Sequence, residues 1–107
     1  MGQLIYGGAR ISEFEIEDRV LAHLQFVVAT KLRRGEQFML TWNHGVERGS
    51  GRSSIWISAY VPVHFKYNGN RPPKLNRAWL ELMIDGANSP AGLHPIPEAA
   101  AGAGVPE

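Results

Sequence analysis

Asp18-Arg19-Val20-Leu21-Ala22-His23-Leu24-Gln25-Phe26-Val27-Val28-Ala29-Thr30-Lys31-Leu32-Arg33-Arg34-Gly35 is the stretch that organises the chain. At about 100° per residue, Val20, Leu21, Leu24, Val27, Val28 and Leu32 fall on one broad face, which predicts an amphipathic helix with that face in the core. Asp18 is placed to cap it, and Gly35 stands where the chain leaves the last turn in the left-handed conformation. Acidic Glu17 and Asp18 at its start, and Lys31, Arg33 and Arg34 at its end, complement the helix dipole. On the far side lie Ala22, Phe26, Ala29 and Arg33, so a large aromatic sits between two small residues where a solvated helix is ordinarily polar. Two readings of Phe26 stay open: it packs beneath the C-terminal segment or a loop, or it belongs to an interface.

Before this helix, Leu4 to Gly8 and Ile11 to Ile16 are rich in strand formers around Gly7-Gly8 and predict a hairpin. After it, Gln37 to Asn43 alternates with Phe38, Leu40 and Trp42 on one side, and Ser54 to Tyr60 with Ile55 and Ile57 on one side, so both read as strands. Val63, Phe65 and Tyr67 continue the alternation into a fifth strand that Pro62 opens or places at a sheet edge. Asn68-Gly69-Asn70 is a turn, and Pro72-Pro73 predicts the start of a second helix running to about Ile84. The expected order is ββαβββα. The expected fold is α+β, an antiparallel sheet of about five strands with two helices on one face. Residues 1–88 form the single domain in this reading. Residues 89–107 hold four of the seven prolines and few large apolar side chains, and read as a Pro/Ala/Gly-rich tail without a core of its own.

The 107 residues contain no cysteine, 44% hydrophobic and 20% charged residues, and a net charge of +1. That excludes a disulfide framework, thiolate nucleophiles and cysteine zinc sites. It also removes any global electrostatic case for nucleic acid or an anionic membrane, so a basic patch must be local. Glu13, Glu15, Glu17 and Asp18 precede any long apolar run, and neither a signal peptide nor a membrane span is expected; a cytoplasmic location fits.

With Phe38, Leu40, Trp42, Ile55, Ile57, Val63, Phe65 and Tyr67 turned to the helices, Met39, Thr41, Trp56, Ser58, Tyr60, His64 and Lys66 point outward. Three readings of that aromatic face remain open. Met39, Trp56 and Tyr60 anchor a homodimer, or the face is a stacking platform for bases, or the tail or loops cover it.

Several catalytic patterns fail on their spacing. Gly51-Arg52-Ser53 resembles the end of a phosphate-binding loop, but Val46 stands at the required first glycine and a strand follows where a helix is needed. Gly-x-Ser-x-Gly is absent. His23, His44, His64 and His94 come from four segments with no i, i+4 pair, so no metal site and no cofactor is expected. Glu13 and Glu15 share a strand face and read as solvated carboxylates. Arg71-Pro72-Pro73-Lys74-Leu75-Asn76-Arg77 is less usual, because three cations crowd an expected helix start; it is the best local anion site, with Arg48 and Arg52 a weaker one.

The segments Met1-Gly2-Gln3-Leu4-Ile5-Tyr6-Gly7, Asp18-Arg19-Val20-Leu21-Ala22-His23-Leu24, Lys31-Leu32-Arg33-Arg34, Gly51-Arg52-Ser53-Ser54-Ile55-Trp56, Arg71 to Trp79 and Ala87-Asn88-Ser89 resemble a family of short, uncharacterised actinobacterial proteins that begin Met-Gly-x-Leu-x-Tyr-Gly. Members of it often carry the automatic name "ATP-dependent DNA ligase". The resemblance implies no catalytic residues. A nucleotidyl-transferring ligase needs the lysine of Lys-x-Asp-Gly as its nucleophile. The one Asp-Gly here is Asp85-Gly86, and Met83 stands in the lysine position.

The expectation is therefore a non-enzymatic binding module that self-associates through Met39, Trp56 and Tyr60 or through Phe26. The alternative is a nucleic-acid accessory protein with Arg52, Lys66, Arg71, Lys74 and Arg77 as backbone contacts.

Overall fold

A computed structural model describes residues 2–7, 9–10, 16–43, 51–94 and 96–98. In chain order the elements are β1 (Gln3–Tyr6), β2 (Ala9–Arg10), α1 (Asp18–Arg33), β3 (Phe38–Asn43), β4 (Arg52–Ile57), β5 (Val63–Lys66) and α2 (Arg77–Ala87). The architecture is mixed α+β with two helices. The single sheet of about five strands is corrected: four strands of four to six residues make two separate antiparallel pairs, β1 with β5 and β3 with β4. The two-residue β2 adds to the other edge of β1, so the neighbours run β2-β1-β5 and not in chain order. Of the expected Ile11 to Ile16 strand, residues 11–15 lie outside the described residues, and Ile16 forms an isolated bridge to Gly2.

The division has a local cause. Between β4 and β5, Pro62 supplies no amide for a ladder, and the Ser58 to Pro62 turn separates the two strands. The Tyr6 hydroxyl spans the gap, donating to the Trp56 carbonyl at 2.8 Å and accepting from the Ser58 amide at 3.0 Å. The Gly7 amide bonds the Pro62 carbonyl at 2.8 Å, closing the same junction.

Side-chain alternation follows the sequence pattern. Phe38, Leu40, Trp42 and Ile57 join Leu4, Leu21, Leu24, Val27, Val28, Trp79, Leu80, Met83 and Ala87 in one buried cluster. Leu93 completes it with no exposed surface. The chain beyond Asn88 thus docks: the Thr41 amide bonds the Leu93 carbonyl and the Leu93 amide the Met39 carbonyl, both at 2.8 Å, as a parallel bridge along β3. Gly92 makes this approach possible. Its φ is +82°, and a Cβ there would stand 2.6 Å from the Met39 carbonyl oxygen. Residues 99–107 lie outside the described residues.

Two helix starts differ from the sequence reading. Asp18 is the first residue of α1, after an N-cap at Glu17, and its carboxylate instead accepts from the backbone amides of Gly69 and Asn68. Those two amides, Gly69 first, hold the Asp18 carboxyl below its usual range. The second helix does not open at Pro72-Pro73. Each proline disfavours helical backbone in the residue before it, and α2 begins only at Arg77, capped by the Asn76 side chain accepting from the Trp79 amide at 3.2 Å. Only Arg77 of the three cations is therefore in the first turn.

The helices are joined by buried polar groups. The Asn76 amide donates to His23 Nε2 at 2.9 Å; a backbone N–H can only donate, so Nε2 is unprotonated and Nδ1–H donates to the Arg19 carbonyl at 2.7 Å. The ring has no exposed surface and packs on Trp79 with centroids 4.3 Å apart. Burial pushes its pKa below the ordinary 6.5, against the upward pull of the Arg19 carbonyl. Asn76 Nδ2 donates to Glu98, which the Arg19 guanidinium holds by two hydrogen bonds of 2.8 and 2.7 Å. Those bonds, with Asn76 second, bring the Glu98 carboxyl down to about 2. At the other end buried Lys31 donates to Glu36 at 2.8 Å and to Asn88, the C-cap of α2. His23 meets the start of α2 and Lys31 its end, so the helices run side by side in the same sense.

Acid should lower the stability of the fold over two pH windows. A folded-state pKa of His23 below 6.5 means that its contribution is complete above pH 6.5 and is lost as pH falls below that value. Glu98 contributes above 4.5 and loses that contribution as pH falls toward about 2. Chemical denaturation from pH 8 to 3 should show both, with His23→Phe abolishing the first loss at a cost of about 2 kcal/mol at neutral pH, the penalty for an unpartnered buried amide. Glu98→Gln should blunt the second. Leu93→Ala should cost about 3 kcal/mol at any pH, as a core cavity does; a loss below about 1 kcal/mol would mean that the segment is not part of the core.

Candidate functional site

The outer face of α1 becomes one wall of a groove of about 480 Å³. Ala22, Phe26, Ala29 and Arg33 line it from the helix, and Tyr67, Asn70, Arg71, Pro72, Pro73 and Leu75 line it from the segment leading into α2. Phe26 is 43% exposed within it. The opposing wall is tied to α1 at two points. The Tyr67 hydroxyl donates to Gln25 at 2.5 Å, and the Asp18 carboxylate holds the Gly69 amide at 2.8 Å. Burial, then the nearby Asp18 charge, push the Tyr67 pKa up to about 12, so the phenol stays protonated and can donate. Arg33 and Arg71 are both exposed, and among the described residues no carboxylate lines the groove.

Of the five expected anion contacts, only Arg71 reaches this groove. All five are exposed. Arg52 opens β4 opposite Asn43, and Lys66 ends β5 opposite Gln3, on different sheets. Lys74 offers its carbonyl to Arg19 at 2.9 Å, and Arg77 begins α2. Arg52 and Lys66 thus stand on two different sheets, while Arg71, Lys74 and Arg77 follow one another along the segment that leads into α2.

The expected interface residues also separate. Met39 and Trp56 are register partners on the outer face of β3 and β4. Trp56 is 53% exposed, with its indole N–H donating to Gln37 at 2.5 Å, while Tyr60 stands 91% exposed in the turn after β4. Met39 and Trp56 border a second hollow of about 500 Å³ with Lys31, Gln37, Asn88 and Pro90. Phe26 belongs to the other groove, so two surfaces exist. The Thr41 and Ser54 hydroxyls, 2.7 Å apart, continue the polar part of the β3–β4 face.

Met83, in the position of a ligase lysine, is a core residue with no exposed surface. Among the described residues no three His, Asp or Glu side chains come together as a metal site. His64 and His94 are exposed, and His44, Arg48, Glu13 and Glu15 lie outside the described residues. Among the described residues no helix is long and apolar enough to cross a membrane. The α1 half of the groove was legible from the helical spacing of Phe26. The opposing half was not, because nothing local in Tyr67 to Leu75 signals that it lies along α1.

No curated protein and no solved structure matches the chain. Residues 1–98 match one family, so the span runs through Leu93 and Glu98 and covers every described residue. The chain belongs to the family described as Domain of unknown function (DUF7882).

Proposed function

We propose that this domain is a non-enzymatic binding module that self-associates through the outer face of β3 and β4. The observation that supports it is the exposure of two large aromatics, Trp56 on β4 at 53% and Tyr60 in the turn that follows at 91%, with half-buried Met39 the register partner of Trp56. Exposed aromatic and Met side chains are residue types that anchor protein interfaces. A two-fold contact would place the same patch on both copies, Trp56 against or beside its equivalent.

Light scattering coupled to size exclusion at micromolar concentrations tests this. The wild type should elute at twice the chain mass, and Trp56→Ala should weaken association by about 2 kcal/mol, shifting the protein to monomer at the same concentration. Tyr60→Ala should act in the same direction and less strongly. A wild type that stays monomeric, or a Trp56→Ala protein that keeps the dimer mass, would sink the reading.

A nucleic-acid accessory role is the second reading, favoured by the exposure of all five cations, Arg52, Lys66, Arg71, Lys74 and Arg77. It requires binding to oligonucleotides that falls steeply with salt, with a slope counting the phosphates neutralised. Absence of binding at low ionic strength would dismiss it.

A further inference from the structure

The groove along α1 has features that the self-association surface lacks, and it is independent of that reading. It follows the helix from Ala22 to Arg33, a rise of about 16 Å over eleven residues. An elongated trough of this kind suits a linear chain better than a compact molecule. Its floor is apolar, with Phe26 held between the short side chains of Ala22 and Ala29 and facing the Pro72-Pro73 wall. Among the described residues its charge has one sign: Arg33 and Arg71 line it, no carboxylate does, and neither arginine shares in the ion pairs formed by Arg19, Lys31 and Arg34. Asp18, which tethers the opposing wall, is turned to the Gly69 and Asn68 amides.

We infer that this groove binds an acidic, apolar peptide segment of a partner protein. The expected ligand places one large apolar side chain against Phe26 and a carboxylate on Arg33 or Arg71. Phe26 and Arg33 are seven residues apart, so about 10 Å separates the two subsites along the helix. An extended peptide covers that distance in about three residues, which gives the spacing of the apolar residue and the acid. Arginine suits the second subsite because its planar fork donates two hydrogen bonds to a carboxylate. A single-stranded nucleic acid is the less favoured occupant. Its affinity would come from a continuous cationic track, whereas the chain's net charge is +1 and the exposed Arg52 and Lys66 lie on strands of two different sheets.

Selection of a phage-displayed random decapeptide library on the immobilised full chain tests the inference. Enriched sequences should carry Leu, Phe or Trp about three positions from Asp or Glu. Fluorescence anisotropy of a labelled synthetic copy should show binding weakened at least about tenfold by Phe26→Asp and by Arg33→Glu, and unchanged by Glu81→Gln on the exposed side of α2. Ala29→Trp fills the trough without removing a contact and should block binding while circular dichroism stays wild type. Enrichment of basic sequences, no enrichment over the Ala29→Trp protein, or binding that survives Phe26→Asp would overturn the proposal. A labelled 12-mer oligothymidylate that binds and is displaced by the same three substitutions would overturn it by assigning the groove to nucleic acid. Loss of the dimer mass in Phe26→Asp would overturn it by assigning the groove to a second copy.

Discussion

A neutral imidazole is the joint on which the two helices are mounted. His23 reaches a carbonyl of its own helix with Nδ1–H and a backbone amide of the other helix's N-cap residue with Nε2, so both ring nitrogens are used in a site closed to water. A charged ring could not make this joint, because Nε2–H would face the Asn76 N–H as donor against donor. Burial works in the same direction by disfavouring the charged form. The consequences for the rest of the chain are geometric. Asn76 is fixed beside α1, α2 can start only there, and the chain from Tyr67 to Leu75 must run along α1 to arrive. The groove is thus a product of where α2 begins. Lys31 bonding Asn88 sets the other end of α2, and Arg19 with Glu98 brings the chain after Leu93 back over the same junction.

Periodicity made much of this visible. The apolar stripe of α1, the inward Phe38, Leu40 and Trp42, the left-handed Gly35 (φ +72°) and the outward Phe26 and Trp56 all follow from local pattern. The failures share a cause. His23 pairs with a residue 53 positions away, Lys31 with one 57 away and Arg19 with one 79 away. No local spacing encodes those partners. Lys31 reads as a cation suited to a helix C-terminus, which it is, but it is only 5% exposed because Glu36 and Asn88 close over it. Leu93 and Glu98 sit in a Pro- and Ala-rich stretch that cannot fold by itself, yet each finds a site on a core already made by others. The sheet divided for a similar reason. Alternation predicts strands, while their neighbours depend on whether a turn such as Ser58 to Pro62 leaves amides to pair.

The same joint bears on how the surfaces could be used. The two hollows are built on opposite kinds of support. Trp56 and Met39 stand on a two-stranded sheet whose β3 edge is shared with Leu93, so that hollow depends on the docked C-terminal segment. Phe26 stands on a sixteen-residue helix locked at His23 and Lys31, facing a wall tethered by Gln25 and Asp18. Such a trough is preformed, and a ligand entering it has little ordering cost to meet from the protein side. Membership of a family of unknown function leaves both surfaces as places where side-chain chemistry alone indicates the partner.

The protonation state of His23 can be read directly by long-range ¹H–¹⁵N correlation of the imidazole across a pH titration. A neutral Nδ1–H tautomer that persists as pH drops through 6.5, with the proton taken up only as the domain begins to unfold, is the result this joint predicts. An Nε2–H tautomer, or a ring that titrates reversibly near 6.5 with the fold intact, would contradict it.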